Sequence, residues 1–184
     1  MLEHEPLGLE SGTVVVVSYD SRWVPLFEEA AAELRRAFGS QISEIHHVGS
    51  TAVPGLCAKP IVDILVSIPR FQRGVRLVPE LERLGYEYRP GSEIPDRHSF
   101  RRRRGTARTH HLSLAEPTSN HHRVTLAFRD ALRTDERTAE EYAELKLSLA
   151  RQYPRDREAY IDGKSTFVAR VLASAERGAS GPAV

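Results

Sequence analysis

The spacing of apolar positions changes several times along the chain, and each change marks an expected element. Residues 13–18, TVVVVS, form a continuous β-branched run that predicts a buried strand. From residue 23 the period becomes helical, with Trp23, Leu26, Phe27, Ala30, Ala31, Leu34 and Phe38 on one stripe. Asp20 or Ser21 can cap this helix, Pro25 is tolerated in its first turn, and Gly39 ends it. A second strand is expected over residues 42–48. Residues 61–68 are apolar on both faces apart from Asp63 and Ser67, so this strand belongs in the middle of its sheet. A helix is expected over residues 72–84, stopping at Gly85, and a short strand over 86–89. Residues 98–104 and 109–115 read as a hairpin around Gly105. Beyond Pro117 the pattern is helical, over residues 119–133, 135–152 and 155–177, with Pro154 separating the last two. The expected organisation is an α/β core over residues 12–117 and a helical part over 118–178, together one domain. Residues 1–11 are expected to be a disordered polar tail and residues 179–184 a loose one.

Composition changes this picture little. A chain of 184 residues with 40% hydrophobic and 28% charged positions can build one domain with a real core. With 26 Lys and Arg against 25 Asp and Glu, net charge points to no polyanionic partner. The basic residues are unevenly placed, however, with a block of arginines at 101–104 and Arg97 and Arg108 close by. The lone cysteine, Cys57, allows no internal disulfide, which suits a reducing compartment. The first twelve residues carry acids and no apolar core, so a signal peptide is not expected. No apolar run approaches the ~20 residues of a membrane helix. A cytoplasmic protein without a membrane partner is the resulting expectation. Nucleic acid is not an expected partner either, because the chain shows no wide basic patch with an aromatic platform. Oligomeric state stays open.

Candidate chemistry concentrates between the second and third expected strands. Gly49 lets the backbone turn sharply or approach a ligand. Ser50 and Thr51 bring hydroxyls and backbone N–H groups, the equipment of a phosphate cradle. Pro54 and Pro60 stiffen the loop and Lys59 adds a cation. Asp63 then places a carboxylate inside an apolar run, where it must be paired, hydrogen-bonded or bound to a metal. A Gly-Ser pair followed by an acid on the next strand resembles the layout of the nucleotidyltransferase superfamily. In that layout the loop holds nucleotide phosphates, and strand carboxylates hold a divalent metal that organises in-line attack on the α-phosphate.

The longer strings are more specific. HVGSTAVPGL followed by AKPIVDILV closely resembles the GrpB family of predicted nucleotidyltransferases, a domain type also found fused to dephospho-CoA kinase in some bacteria. The resemblance continues through SYDSRWVPLFEEAAAEL, RTHHLSL, FRDALR, EYAELKLSLA and REAYIDGKSTFV. It implies a mixed sheet flanked by helices, a nucleotidyltransferase-like fold. It also implies transfer of an NMP group from an NTP, or another phosphate-bearing small molecule as ligand, to an unidentified acceptor. On this reading Asp63 and Ser50 are catalytic. Gly49, Ser50, Thr51 and Lys59 hold phosphate. One of the arginines 101–104 supplies a further cation. Arg101 and Arg103 point to one face of their strand and Arg102 and Arg104 to the other, so one pair can enter a cleft and bind an anion. Arg103 and Arg104 are the candidates, because Arg104-Gly105 resembles the family's basic-glycine pair. Lys146 and Lys164 match family positions that turn a basic face to the cleft, with Tyr160 between packing and site. Mg²⁺ or another divalent cation is the implied cofactor, with Asp63 and His111 as candidate ligands.

Some departures favour a different outcome. Side chains alternate along a strand, so residue 65 faces the same way as Asp63 and is where a second acid would stand; here it is Leu65. Glu116 or Glu93 could supply a carboxylate from elsewhere. Among the histidines, His47 precedes the loop, and only one of His110 and His111 can share a face with Asp63. If Leu112 and Leu114 face the core, His110 goes with them and His111 takes the other face. Ser113 replaces the last histidine of the family's His-His-Leu-His run, and hydrogen bonds to backbone or water are the alternative role for all three histidines. Cys57 lacks an assured base nearby, which argues against nucleophilic catalysis. The competing function is a catalytically degenerate module that holds a nucleotide or CoA-like compound for a partner enzyme.

Overall fold

The computed structural model describes residues 7–91 and 95–179. Five strands form one sheet: β1 (Ile45–Val48), β2 (Val62–Ser67), β3 (Tyr86–Tyr88), β4 (Arg97–Arg104) and β5 (Ala107–Ala115). Their order is β1-β2-β5-β4-β3. β2 and β5 run parallel while the other three pairings are antiparallel, so the sheet is mixed. β2 lies inside the sheet, as its two apolar faces require, with only Asp63 less than fully buried.

Helices cover both faces. On one, α1 (Trp23–Phe38) lays its stripe of Trp23, Phe27, Ala30, Ala31, Leu34 and Phe38 against Val62, Ile64, Val66, Leu112 and Leu114, which builds the main core. A 3₁₀ stretch over Phe71–Leu77 leads into α2 (Val78–Arg83) beside it. The helical part comprises α3 (Asn120–Thr134), α4 (Glu136–Gln152), α5 (Arg157–Asp162) and α6 (Ser165–Ala179). It packs on the opposite face, where Leu126 of α3 meets Val48, Leu65 and Ala115. Ser119, Asp135 and Asp156 cap α3, α4 and α5 by accepting the backbone N–H of His122, Thr138 and Ala159. No helix among the described residues is long and apolar enough to cross a membrane.

Three expectations are corrected. Residues 13–18 are a strap and not a buried strand: Val17 forms an isolated bridge with Ala58, Val14 donates to the Pro154 carbonyl, and Val15 is 47% exposed. The backbone partners of Val14 and Val17 thus lie in loops and not in the sheet. The expected last helix breaks at Gly163, where a Cβ would run into Leu149, so the close packing of α4 divides it into α5 and α6. The N-terminal tail is ordered from residue 7 within the described region: Leu7 and Leu9 are 5% exposed, and Leu9 exchanges backbone hydrogen bonds with Arg108. Residues 1–6 and 180–184 lie outside the described residues.

Deleting residues 1–11 is accordingly expected to lower the melting temperature by about 5–10 °C, from the loss of two buried leucines offset by the freed chain. Thermal unfolding of the truncated chain checks this. A melting temperature equal to that of the full chain would show that the Leu7 and Leu9 contacts contribute nothing.

Candidate functional site

Register brings the site together. Val48 at the end of β1 pairs with Asp63 on β2, so the chain leaving β1 passes directly over that carboxylate. Gly49 makes the turn with φ 71° and ψ −172°, a conformation left almost entirely to glycine. A Cβ on Gly49 would run into Asp63 Oδ2. A short 3₁₀ turn, Ser50–Ala52, follows. The Thr51 hydroxyl is buried and spent on structure, meeting His47 Nε2 at 3.0 Å and donating to the Ile61 carbonyl at 3.4 Å. His47 itself faces α1, stacked on Phe27 with ring centroids 4.6 Å apart. Burial, opposed by Asp63 and reinforced by Arg133 and Arg129, lowers its pKa to about 4, so it stays neutral.

Asp63 and His111 form the floor. They are register partners across the parallel β2–β5 pairing, and His111 Nδ1 lies 3.0 Å from Asp63 Oδ1. Burial pushes the Asp63 carboxyl up, but the His111 hydrogen bond and the neighbouring His111 and Lys59 outweigh it and hold the pKa below the usual carboxylate range. His110 takes the opposite face, buried, and desolvation with Arg102 nearby lowers its pKa to about 4.

Above this floor lies a cavity of about 370 Å³. Gly49, Ser50, Thr51 and Lys59 line it from the loop, Phe128 from α3, Tyr142 and Lys146 from α4, Arg157 and Tyr160 from α5, and Lys164 from the α5–α6 break. Lys146 is 2% exposed; its Nζ donates to Ser50 Oγ at 3.1 Å and to the Cys57 carbonyl, and lies 4.7 Å from the Tyr142 ring centre. Lys59 and Lys164 flank the Tyr160 ring at 5.0 and 4.7 Å. Burial first, then repulsion among these cations, lowers Lys146 to about 7 and Lys59 to about 8. Lys164 is lowered as well, by burial and by Arg157. Three lysines and Arg157 thus face Asp63, the single carboxylate among the lining residues described. Basic groups therefore outnumber acidic ones among the described lining residues.

Of the expected site residues, Gly49, Ser50, Thr51, Lys59, Asp63, His111, Lys146 and Lys164 all line this cavity. Arg103 and Arg104 do not, and that expectation is corrected. The β4–β5 register shifts between Arg102 and Arg103, which carries both side chains out to the hairpin tip. There Arg103 lies 3.6 Å from a Glu87 carboxylate oxygen, and Arg104 donates to the Leu7 carbonyl at 3.0 Å. Glu116 is no third carboxylate either, because it accepts the Phe71 backbone N–H at 2.5 Å beyond the far end of β5. Glu93 lies outside the described residues. Leu65 shares the Asp63 face but is fully buried against Val48, Ala115 and Leu126, so the position of a second acid is a core contact. Sequence reasoning missed Phe128, Tyr142 and Arg157. Asp156 marked the start of a helix, but nothing in the sequence oriented that helix toward Asp63.

The family profile described as GrpB protein spans residues 13–174 of the chain. The chain belongs to the GrpB family. Among GrpB relatives, the UPF0157 protein PA4798 of Pseudomonas aeruginosa is 43% identical over 165 residues, covering 88% of this chain and 67% of that protein. The UPF0157 protein YqkA of Bacillus subtilis is 34% identical over 164 residues. Here the match covers 89% of this chain and 48% of YqkA, so the GrpB chain spans about half of that relative. The crystal structure of the conserved protein GrpB from Enterococcus faecalis superposes with a TM-score of 0.82 at 33% identity, covering 89% of this chain and 98% of that one. Cid1, solved in complex with its short product ApU, superposes with a TM-score of 0.50 at 14% identity over 74% of this chain and 43% of its own. The GrpB chain therefore shares its fold with Cid1 over that stretch.

Proposed function

We propose that this GrpB protein is a divalent-metal-dependent nucleotidyltransferase that transfers an NMP group from an NTP to an acceptor. The observation that carries the reading is the position of Asp63, directly beneath the Gly49-Ser50 turn and facing Lys59, Lys146 and Lys164. Among the described residues, the donors fit one metal ion. His111 engages Asp63 Oδ1, which leaves Oδ2 as a hard oxygen ligand, and Mg²⁺ is often held by one or two carboxylates together with substrate phosphates. On β2 itself, buried Leu65 occupies the position of a second acid. When bound, the ion would neutralise charge on the phosphates in the manner of a Lewis acid.

The remaining work belongs to the chain. Lys59, Lys146 and Lys164 bind the triphosphate as fixed cations, with Lys146 also orienting the Ser50 hydroxyl. His111 holds the Asp63 carboxylate in one orientation. Phe128 and Tyr142 wall the cavity and limit water. The test follows pyrophosphate release from each NTP with Mg²⁺ over a panel of acceptors. Asp63→Ala is expected to return release to background, and unchanged release in that variant would remove Asp63 from the mechanism.

A binding module without turnover is the second reading, and the core packing of Leu65 is what favours it. It expects nucleotide to raise the melting temperature with no divalent metal and no pyrophosphate released. Strict dependence of binding on the metal would count against it.

A further inference from the structure

A second cavity of about 540 Å³ adjoins the first and shares Arg157 and Ile161 with it. Four arginines line it, Arg89, Arg97, Arg101 and Arg157, against two acids, Glu158 and Asp162 of α5. The pleat of β4 puts Arg97, Ser99 and Arg101 on the face that carries His111 and Asp63. Arg101 pairs with His111, and His111 with Asp63, so the three stand in one row across adjacent strands. At ~4.8 Å per strand the Arg101 and Asp63 backbones are about 10 Å apart, the scale of one bound substrate.

Two of these guanidiniums, Arg101 and Arg157, are not committed to holding the fold. Among the described residues, Arg101 and Arg157 make no ion pair or hydrogen bond, whereas Arg89 is held by Glu87 at 2.8 Å. Burial, and then Arg89, Arg157 and Arg103, hold the pKa of Arg101 below its usual value against the opposing charge of Glu87. The chemistry of the walls narrows the ligand. The described lining includes no aromatic ring on which a nucleobase could stack. Converging planar guanidiniums match the oxygens of phosphate bidentately.

We propose that this cavity is the acceptor subsite and that the acceptor is a phosphomonoester, an inference that rests on the nucleotidyltransferase reading above. A phosphate oxygen of the acceptor attacks the α-phosphorus of the NTP. The bond from that phosphorus to the bridging oxygen of the β-phosphate breaks, and pyrophosphate leaves with the bonding pair. A new phosphoanhydride joins acceptor and NMP. No proton has to move, because the second ionisation of a phosphomonoester lies near pH ~6 and the nucleophile is already an anion at neutral pH. That accounts for a cleft in which Asp63 is tied to His111 and the other described lining carboxylates are Glu158 and Asp162 of α5. Arg157, common to both cavities, would bring the two anionic substrates together.

Two probes test the subsite and the nucleotide reading separately. Inorganic phosphate is titrated into the full chain, free and saturated with a non-hydrolysable ATP analogue and Mg²⁺, while the arginine Nε–Hε resonances are followed. Calorimetry measures binding of the analogue itself. Phosphate is expected to shift the Arg101 and Arg157 resonances saturably, in the analogue-loaded protein as well. Its affinity should fall about tenfold or more in Arg101→Gln, as the loss of a charged hydrogen bond implies. Arg157→Gln, on the exposed surface, provides a second variant with the same expectation should Arg101→Gln fold poorly. Phosphate binding that is unaffected by both variants and lost in Lys164→Gln would overturn the subsite, as would silent arginine resonances; analogue binding would then still uphold the nucleotide reading. Arginine shifts without any analogue binding would leave an anion site and overturn its role for an acceptor.

Discussion

Gly49→Ala is expected to abolish nucleotide binding and to lower stability by about 3 kcal/mol, the sum of a glycine-only backbone conformation and an overpacked contact. The backbone at Gly49 has φ 71° and ψ −172°, so any side chain is strained before it meets a neighbour. Its Cβ would then collide with Asp63 Oδ2 and sit 3.1 Å from the Asp63 Cβ and Cγ. Asp63 cannot retreat, because its backbone is laddered between Val48 and His111 and its carboxylate is held by the His111 ring. The strain therefore passes to the turn that positions Ser50. Gly55→Ala is the control: Gly55 also has a positive φ, 78°, but a Cβ there meets nothing within 4 Å, so only a backbone cost of about 1–2 kcal/mol is expected. Denaturant unfolding and calorimetry with an ATP analogue compare the two variants. Wild-type stability and binding in Gly49→Ala would show that the turn is not pressed against Asp63 in solution.

The second large effect is a pH dependence with opposite signs for binding and for stability. In the ligand-free fold Lys146 titrates at about 7 and Lys59 at about 8, against an ordinary value of 10.5. Above these values the free protein has lost cations that the phosphates need. Affinity for a nucleotide triphosphate is expected to fall by about tenfold per pH unit for each lysine once its pKa is passed. Binding at pH 8.5 should then take up protons, read by calorimetry in two buffers of different ionisation enthalpy. Ligand-free stability runs the other way. The unfolded lysines keep their protons to about 10.5, while the folded ones release them at about 7 and about 8. The unfolded state binds more protons in that window, so stability rises with pH from about 7 toward 10. Lys146→Met should flatten the lower part of both profiles, since a buried apolar side chain replaces a buried cation. Affinity that stays constant from pH 6.5 to 9 would remove these lysines from phosphate binding.

The site was legible in the sequence where it is local. Gly49, Ser50, Lys59 and Asp63 fall within fifteen consecutive residues, and a glycine turn feeding a carboxylate into an apolar strand is a chemical anomaly visible in one dimension. Alternation along β5 was enough to separate His111 from His110, because Leu112 and Leu114 identify the core face. Alternation also exposed Leu65, and the structure adds why leucine stands there, packed under Leu126. Lys146 and Lys164 came only from likeness to the family. Nothing in the sequence around them distinguishes a lysine that enters a cleft from one in water. Arg103 and Arg104 were misplaced because a one-residue shift of register has no signature in the pattern of charges.

By itself, the chain's periodicity determined the face that α1 buries, the central place of β2, the hairpin of β4 and β5, and the succession of an α/β core and a helical part. These follow from local rules, since the spacing of apolar residues decides which side of an element must leave water. Tertiary structure alone decided the rest. It docked Leu7 and Leu9, made a strap of residues 13–18, broke the last helix at Gly163, and set Arg101 and Arg157 beside the Asp63 cleft. Periodicity specifies that a face is buried but not which element buries it. That choice rests on register and close packing between segments up to about a hundred residues apart, such as Leu9 with Arg108 and Ser50 with Lys146.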